Sequence, residues 1–274
     1  MSKLVSVIVT TKNEEKVIKR LLRSLKNQSY KNIEIIVVDN NSDDNTRSIV
    51  EKFSQKIFIS GPERSSQRNY GAKKSSGEYL FFLDADMEPE NGVIEECVSK
   101  IRKDIRIGGV VVPEIPIAKN FWEKVKAFER SIYNEVGDIV TDAARFFRQD
   151  VFEKAGGYDE TLTGPEDWDI TETIKKIGFK IGRIKSRIYH YERIPNPFFL
   201  TKKKYYYALN VHKYLSKHKI SPLSPKTVYF LRPIFYKSWH KLISNPIMTV
   251  AMFTMFFFEL MGGGVGYFVG RSRN

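Results

Sequence analysis

GEYLFFLDADMEPE, residues 77–90, carries an unbroken apolar run, Leu80 to Leu83, straight into two carboxylates, Asp84 and Asp86. Such a run is the signature of a strand buried on both faces of a parallel sheet. The acids then fall at the strand's carboxyl edge, where open α/β sheets bind ligands. Alternate residues of an extended segment point to one side, so Asp84 and Asp86 can converge on one cation or on a ligand bridged by it. An ordinary acidic surface loop has the same composition, so the flanking chain must decide.

Working outward, strands and helices alternate. Leu4–Thr11 is a β-rich run that stops at Lys12-Asn-Glu-Glu15, and a helical pattern follows through Val17, Ile18, Leu21, Leu22 and Leu25. Ile33–Val38 is a second buried strand, ending in the polar turn Asp39–Thr46 before a helix over Arg47–Phe53. A short strand, Lys56–Ser60, and a helix from Ser66 lead into the opening stretch. This spacing predicts βαβ units and a mainly parallel sheet flanked by helices. Beyond it, helices are expected over Asn91–Arg102, Phe121–Tyr133, Asp150–Ala155 and Glu166–Ile177, and strands over Gly108–Pro113, Arg145–Arg148 and Phe179–Tyr189.

The last hundred residues change character. Residues 1–174 hold 26 Lys+Arg against 30 Asp+Glu, whereas residues 175–274 hold 19 against 2, giving the overall +13. So basic a segment calls for an anionic partner, nucleic acid or an anionic membrane surface. Lys202–Leu215 reads as a basic, tyrosine-rich helix, and Pro225–Leu242 interleaves aromatic side chains with Lys and Arg, as interfacial helices do. Ile247–Gly270 carries one charged side chain, Glu259, and is long enough to span a bilayer, although Gly262-Gly-Gly264 invites a break. A long apolar segment among the basic residues argues against nucleic acid as the partner. The expected division is therefore residues 1–195 as an α/β domain, 196–243 as basic amphipathic helices at the membrane interface, and 244–274 as a hydrophobic membrane segment with a basic tail. Met1–Lys3 leads directly into a strand, so no signal peptide is expected, and the single cysteine, Cys97, suits a reducing compartment. The expected location is the membrane, with the α/β domain facing the cytoplasm.

Six segments, VSVIVTTKNE (5–14), IIVVDNNSDDNT (35–46), RNYGAKKSSG (68–77), Asp84-Ala-Asp86, GGYDE (156–160) and EDWD (166–169), resemble in order and spacing the family 2 glycosyltransferases. The resemblance implies a GT-A (Rossmann-like) fold, a UDP- or GDP-linked sugar donor, Mn²⁺ or Mg²⁺, and inversion at the anomeric carbon. It places Thr10, Asn13, Glu14 and Asp39 around the nucleotide; the bland alternative for Asp39 is a cap for the following helix. Arg145 and Arg148 match diphosphate contacts; the planar fork of Arg68 suits a diphosphate or a site carboxylate, and as a lone helix residue it also fits a solvated side chain. Asp86 is the expected metal ligand, with Asp84 on the ribose side, and His190 matches a histidine near metal and diphosphate. Asp167 matches the catalytic base, which takes the proton of an acceptor hydroxyl. Glu166 and Trp168 then flank the sugar or acceptor, although Trp168 equally fits the core. Three acids in a helix's first turn also complement its dipole without any chemistry. No QxxRW-like segment is present, which favours a single transfer over polymer synthesis. The basic aromatic tail points to membrane lipids and a polyprenyl-linked acceptor; a polyprenyl-phosphate sugar synthase is the near alternative.

Overall fold

The structure, a computed structural model, describes residues 2–134 and 136–273, so the outermost positions of the expected segments, 1 and 274, lie outside the described residues. In chain order the elements are β1 (Val5–Thr11), α1 (Ile18–Lys26), β2 (Ile33–Asp39), α2 (Thr46–Val50), β3 (Lys56–Ile59), α3 (Arg64–Lys73), β4 (Tyr79–Asp84), β5 (Met87–Pro89), α4 (Val93–Lys103), β6 (Ile107–Val111), β7 (Glu114–Ile117), α5 (Phe121–Ser131), β8 (Phe146–Arg148), α6 (Gln149–Lys154), α7 (Glu166–Lys176), β9 (Lys180–Arg183), β10 (Ile188–Tyr191), α8 (Pro197–Ala208), α9 (Val211–His218), α10 (Pro233–Lys237), α11 (Trp239–Ile243) and α12 (Pro246–Ser272). They form two compact units. The first comprises Met1–Glu114, Ala143–Glu160 and Glu166–His190; the second comprises Ile115–Asp142, Thr161–Pro165 and Tyr191–Asn274.

The first unit is built on a seven-stranded sheet of order β3-β2-β1-β4-β8-β6-β9. β1 lies parallel to both β2 and β4, with Thr10 opposite Asp84 and Thr11 opposite Asp39. The chain turns one way from β1 to reach β2 and the other way to reach β4, so the β1/β4 junction is the switch point where such sheets open a ligand crevice. β4 is buried on both faces, as its apolar run requires. Phe81 and Leu83 pack with Val7, Val9 and the helix residues Leu21, Leu22, Ile94 and Cys97. Leu80 and Phe82 pack on the other face with Ile8, Ile36, Phe147, Phe152 and Tyr158. Among the described residues of this sheet only β8 breaks the parallel order, running antiparallel to β4 and β6.

The expected strand Phe179–Tyr189 is two strands. β9 joins the main sheet beside β6, and β10 pairs antiparallel with β5. Between them the backbone is drawn off by two carboxylates: the N–H groups of Lys185 and Ser186 donate to Glu96 at 2.9 and 2.8 Å, and that of Arg187 donates to Glu90 at 2.8 Å. The detour sets His190 opposite Met87, one residue past Asp86.

The second unit gathers α5 and the helices from α8 onward around Val125, Leu200, Phe235, Met252, Met255 and Phe256. A reciprocal capping box between Asn120 and Glu123 starts α5. The expected helix over Lys202–Leu215 is broken at Leu209-Asn210 into α8 and α9. In contrast, α12 runs unbroken through the three consecutive glycines and is long and apolar enough to cross a membrane, with a mean hydropathy of 1.5. The glycines persist because packing, not propensity, decides there. A Cβ at Gly262, Gly266 or Gly270 would strike the backbone carbonyl oxygens of Thr201, Tyr205 or Leu209, so α8 and α12 lie backbone to backbone. Gly266→Ala is therefore expected to cost about 1–3 kcal/mol by overpacking. Gly263→Ala, which meets nothing within 4 Å, is expected to gain up to about 1 kcal/mol from helix propensity. Thermal denaturation of the two variants checks the contrast.

Candidate active site

The loops after β1 and β2 are stitched into one wall at the carboxyl edge. Asp39, fully buried, accepts from the Thr11 hydroxyl at 2.8 Å and from the backbone N–H and hydroxyl of Ser42 at 2.8 and 2.5 Å. Asn13 takes a left-handed conformation at φ 55°; its N–H donates to Ser42 Oγ at 2.8 Å and its Oδ1 accepts from Asp43 N–H at 3.0 Å. Glu14 N–H donates to Thr46 Oγ1 at 2.8 Å. Asp39 thus organises the turn that α2 follows, and the wall itself carries Asn13 and Glu14. Gln67, which the sequence did not single out, pins the strand ends by donating to the carbonyls of Thr11 and Val38 at 3.1 and 2.8 Å.

Arg68 is the hub. α3 sits close on β1 and β2 because Gly71 has no side chain; a Cβ there would press on Ile8 and Val38. One turn earlier, Arg68 is fully buried, donating through one terminal nitrogen to Asp167 at 2.7 Å and through the other to Asp84 at 2.9 Å. Its guanidinium stacks 5.1 Å from the ring centroid of Tyr158. Two carboxylates from distant segments, the end of β4 and the first turn of α7, are therefore fixed on one planar fork. Burial alone would raise the Asp84 carboxyl, but Arg68, with Arg64 and Arg145, outweighs it and holds the group well below the usual carboxylate range. Glu166, expected on the acceptor side, is sealed behind this pair. It is 1% exposed and accepts from Arg64 Nε at 2.9 Å, so it positions arginines instead of facing an open site.

On the other side of Asp84, Arg145 approaches at 3.6 Å and donates from Nε to Glu114 Oε1 at 2.9 Å. The other oxygen of Glu114 lies 2.9 Å from His190 Nδ1, and His190 Nε2 lies 3.6 Å from Asp86 Oδ1. A carboxylate on Nδ1 orients the ring so that Nε2 faces Asp86. Cis ligands of one Mg²⁺- or Mn²⁺-sized ion stand about 3 Å apart, so Asp86 and His190 could hold such an ion after a small adjustment. Among the described residues no group of three or more His, Cys, Asp or Glu stands ready to enclose a metal, so any further ligands would have to come from substrate or water. Glu166, Asp167, Asp84, Glu114 and Asp86 against Arg64, Arg68 and Arg145 leave a formal charge of −2 with His190 neutral, which suits a divalent cation.

Arg148 does not belong to this cluster. Because β8 is antiparallel to β4, Arg148 pairs with Tyr79 at the start of the strand, while the carbonyl of Arg145 meets Phe82 near its end. About 16 Å of strand therefore separates Arg148 from Asp84. Arg148 instead grips Asp150 and the carbonyl of Ile105. Trp168 is half-buried on α7, and Thr10 is buried opposite Asp84 at the switch point.

A parallel-stranded switch point with a polar wall, two clamped carboxylates and a paired Asp and His is an arrangement suited to a nucleotide-sugar. Residues 6–156 match glycosyl transferase family 2, and the chain belongs to that family. It is 31% identical over 201 residues to the probable glycosyltransferase YdaM of Bacillus subtilis, covering 65% of this chain and 48% of that one. It is 36% identical over 105 residues to the GalNAc(5)-diNAcBac-PP-undecaprenol beta-1,3-glucosyltransferase of Campylobacter jejuni, covering 35% of this chain and 33% of that one. The chain thus spans half or less of the length of these relatives. The fold is shared with the mannosyltransferase PcManGT of Pyrobaculum calidifontis, solved with GDP-Man and Mn²⁺: TM-score 0.59, 19% identity, covering 92% of this chain and 73% of that one.

Proposed function

We propose that this chain transfers one sugar, with inversion, from a nucleotide-sugar to a hydroxyl of a lipid-linked glycan at a membrane. The observation that carries the reading is the clamp of Asp84 and Asp167 on Arg68, which fixes a donor-side carboxylate and a base-side carboxylate in one rigid unit. Asp167 uses Oδ1 on Arg68, leaving its second oxygen to take the acceptor proton. Arg68 and Arg145 hold the carboxylate of Asp84 ionised beside the ribose and diphosphate. Asp86 and His190 would hold a divalent cation, which supplies neutralisation of the departing diphosphate when bound. The Mn²⁺ and GDP-Man bound to PcManGT support the metal and the donor class, and the lipid-diphosphate substrate in the Campylobacter relative's name supports the acceptor class.

Thermal stability measured with Mn²⁺, with UDP or GDP, and with both tests the donor site. Stabilisation by nucleotide that deepens when Mn²⁺ is added is expected, whereas additive or absent effects would sink the metal-linked site. Glu114→Gln removes the charge behind His190 and is expected to weaken Mn²⁺ by about 10–100-fold, read by titrating Mn²⁺ against nucleotide-dependent stabilisation.

A further inference from the structure

We infer that α12 does not cross the bilayer but lies along the surface of an anionic membrane, sinking one apolar stripe into a single leaflet; this deepens the membrane placement of the proposed function. The helix is two-faced. Ala251, Met252, Met255, Phe256 and the glycines at 262, 266 and 270 are buried, while Ile247, Val250, Phe257, Met261, Val265 and Phe268 are 52–73% exposed. The exposed set recurs every three, four or seven residues, and covers about 32 Å of helix.

What covers the other face disfavours a bilayer span. α8 runs beside residues 258–270 of α12: the Thr201 hydroxyl donates to the carbonyl of Phe258 at 3.2 Å, Phe198 packs on Phe258 at 5.0 Å, and the glycine contacts continue to Leu209. Because the two backbones touch, α8 would have to enter the hydrocarbon with α12. It carries Lys202 and Lys203, both exposed, level with the middle of the apolar segment. Two exposed ammonium groups near the bilayer centre are strongly disfavoured, whereas at headgroup depth they meet lipid phosphate.

The charge of the segment that carries the stripe selects an anionic lipid surface over a protein groove. Residues 191–274 hold 13 Lys+Arg and 2 Asp+Glu, a balance of +11. Both carboxylates are withdrawn from the surface: Glu259 is 3.3 Å from Lys126, and Glu192 is 3.0 Å from Arg130, with side chains 3% and 7% exposed. No side-chain carboxylate of this segment is left outside to repel phosphate.

The test uses the full chain with a nitroxide on an introduced cysteine at Ile247, Phe257 or Phe268, since Cys97 is buried, bound to vesicles of 30% phosphatidylglycerol in phosphatidylcholine. An in-plane helix puts all three labels at one shallow depth, about 5–10 Å below the headgroups. A span puts Phe257 near the centre, about 15 Å down, with the ends at opposite surfaces, and would overturn the inference. So would labels that stay in water, which would point to a protein partner. Val265→Glu with Phe257→Glu is expected to weaken vesicle binding by about tenfold or more without lowering the melting temperature, because both positions are exposed. Failure of the nucleotide and Mn²⁺ linkage would leave these depths unchanged, so the two readings fail separately.

Discussion

Asp167→Asn is expected to lower kcat by about 10²–10⁴-fold while leaving the apparent affinity for the nucleotide-sugar within a few-fold. An asparagine keeps the shape of the side chain and its carbonyl still accepts from Arg68 at the position now 2.7 Å away, so the clamp survives in geometry. What disappears is a group able to take a proton from an attacking hydroxyl. The effect therefore falls on turnover and not on donor binding, and steady-state kinetics with saturating donor separate the two. The same variant decides the acceptor's chemistry. A lipid phosphate acceptor is already an anion and requires no base; a variant with undiminished turnover would reassign the chain as a polyprenyl-phosphate sugar synthase.

The placement of Asp84, Asp86 and Asp167 at element boundaries was legible in the sequence, because an apolar run ends in acids or a helix begins with them. The parallel core was legible for a similar reason, since strands buried on both faces are written as continuous apolar runs. Glu114 was not. It follows Pro113 at the close of the expected strand Gly108–Pro113, and nothing local marks it off from a loop acid; its role exists only because Arg145 and His190 arrive from segments 31 and 76 residues away. Arg145 and Arg148 look equivalent in sequence, and only the antiparallel register of β8 sets one near the end of β4 and the other at its start. The glycines of α12 misled in the opposite sense. Propensity reads them as a break, yet the absent side chains are what allow α8 to dock and the helix to continue.

Arg68→Met is expected to destabilise the first unit by about 3–5 kcal/mol, because removing one partner of a buried ion pair leaves the other uncompensated. Here one fully buried guanidinium serves Asp84 and Asp167 and lies 3.7 Å from Glu166. For a unit of this size the loss corresponds to a fall in Tm on the order of 10 °C. Arg68→Lys keeps the charge but not the fork: an ammonium can favour either Asp84 or Asp167 but cannot present parallel donors to both. That variant is expected to recover a large part of the stability and little of the turnover, which separates the structural share of Arg68 from its positioning share. The wild type also sets a pH signature. The Asp84 carboxyl is depressed in the folded chain, so its contribution is complete above the unfolded value of about 4 and is lost only as pH falls toward the lower folded one. In the methionine variant the largest of the cationic influences is gone and burial again acts to raise that carboxyl. Thermal melts from pH 5 to 8 should therefore show no slope from Asp84 in the wild type. The variant should lose stability toward alkaline pH, where the buried carboxylate is forced to ionise. Identical pH dependence in the two proteins would mean that Arg64 and Arg145 suffice to hold Asp84 charged, and would take from Arg68 its place as the hub of the site.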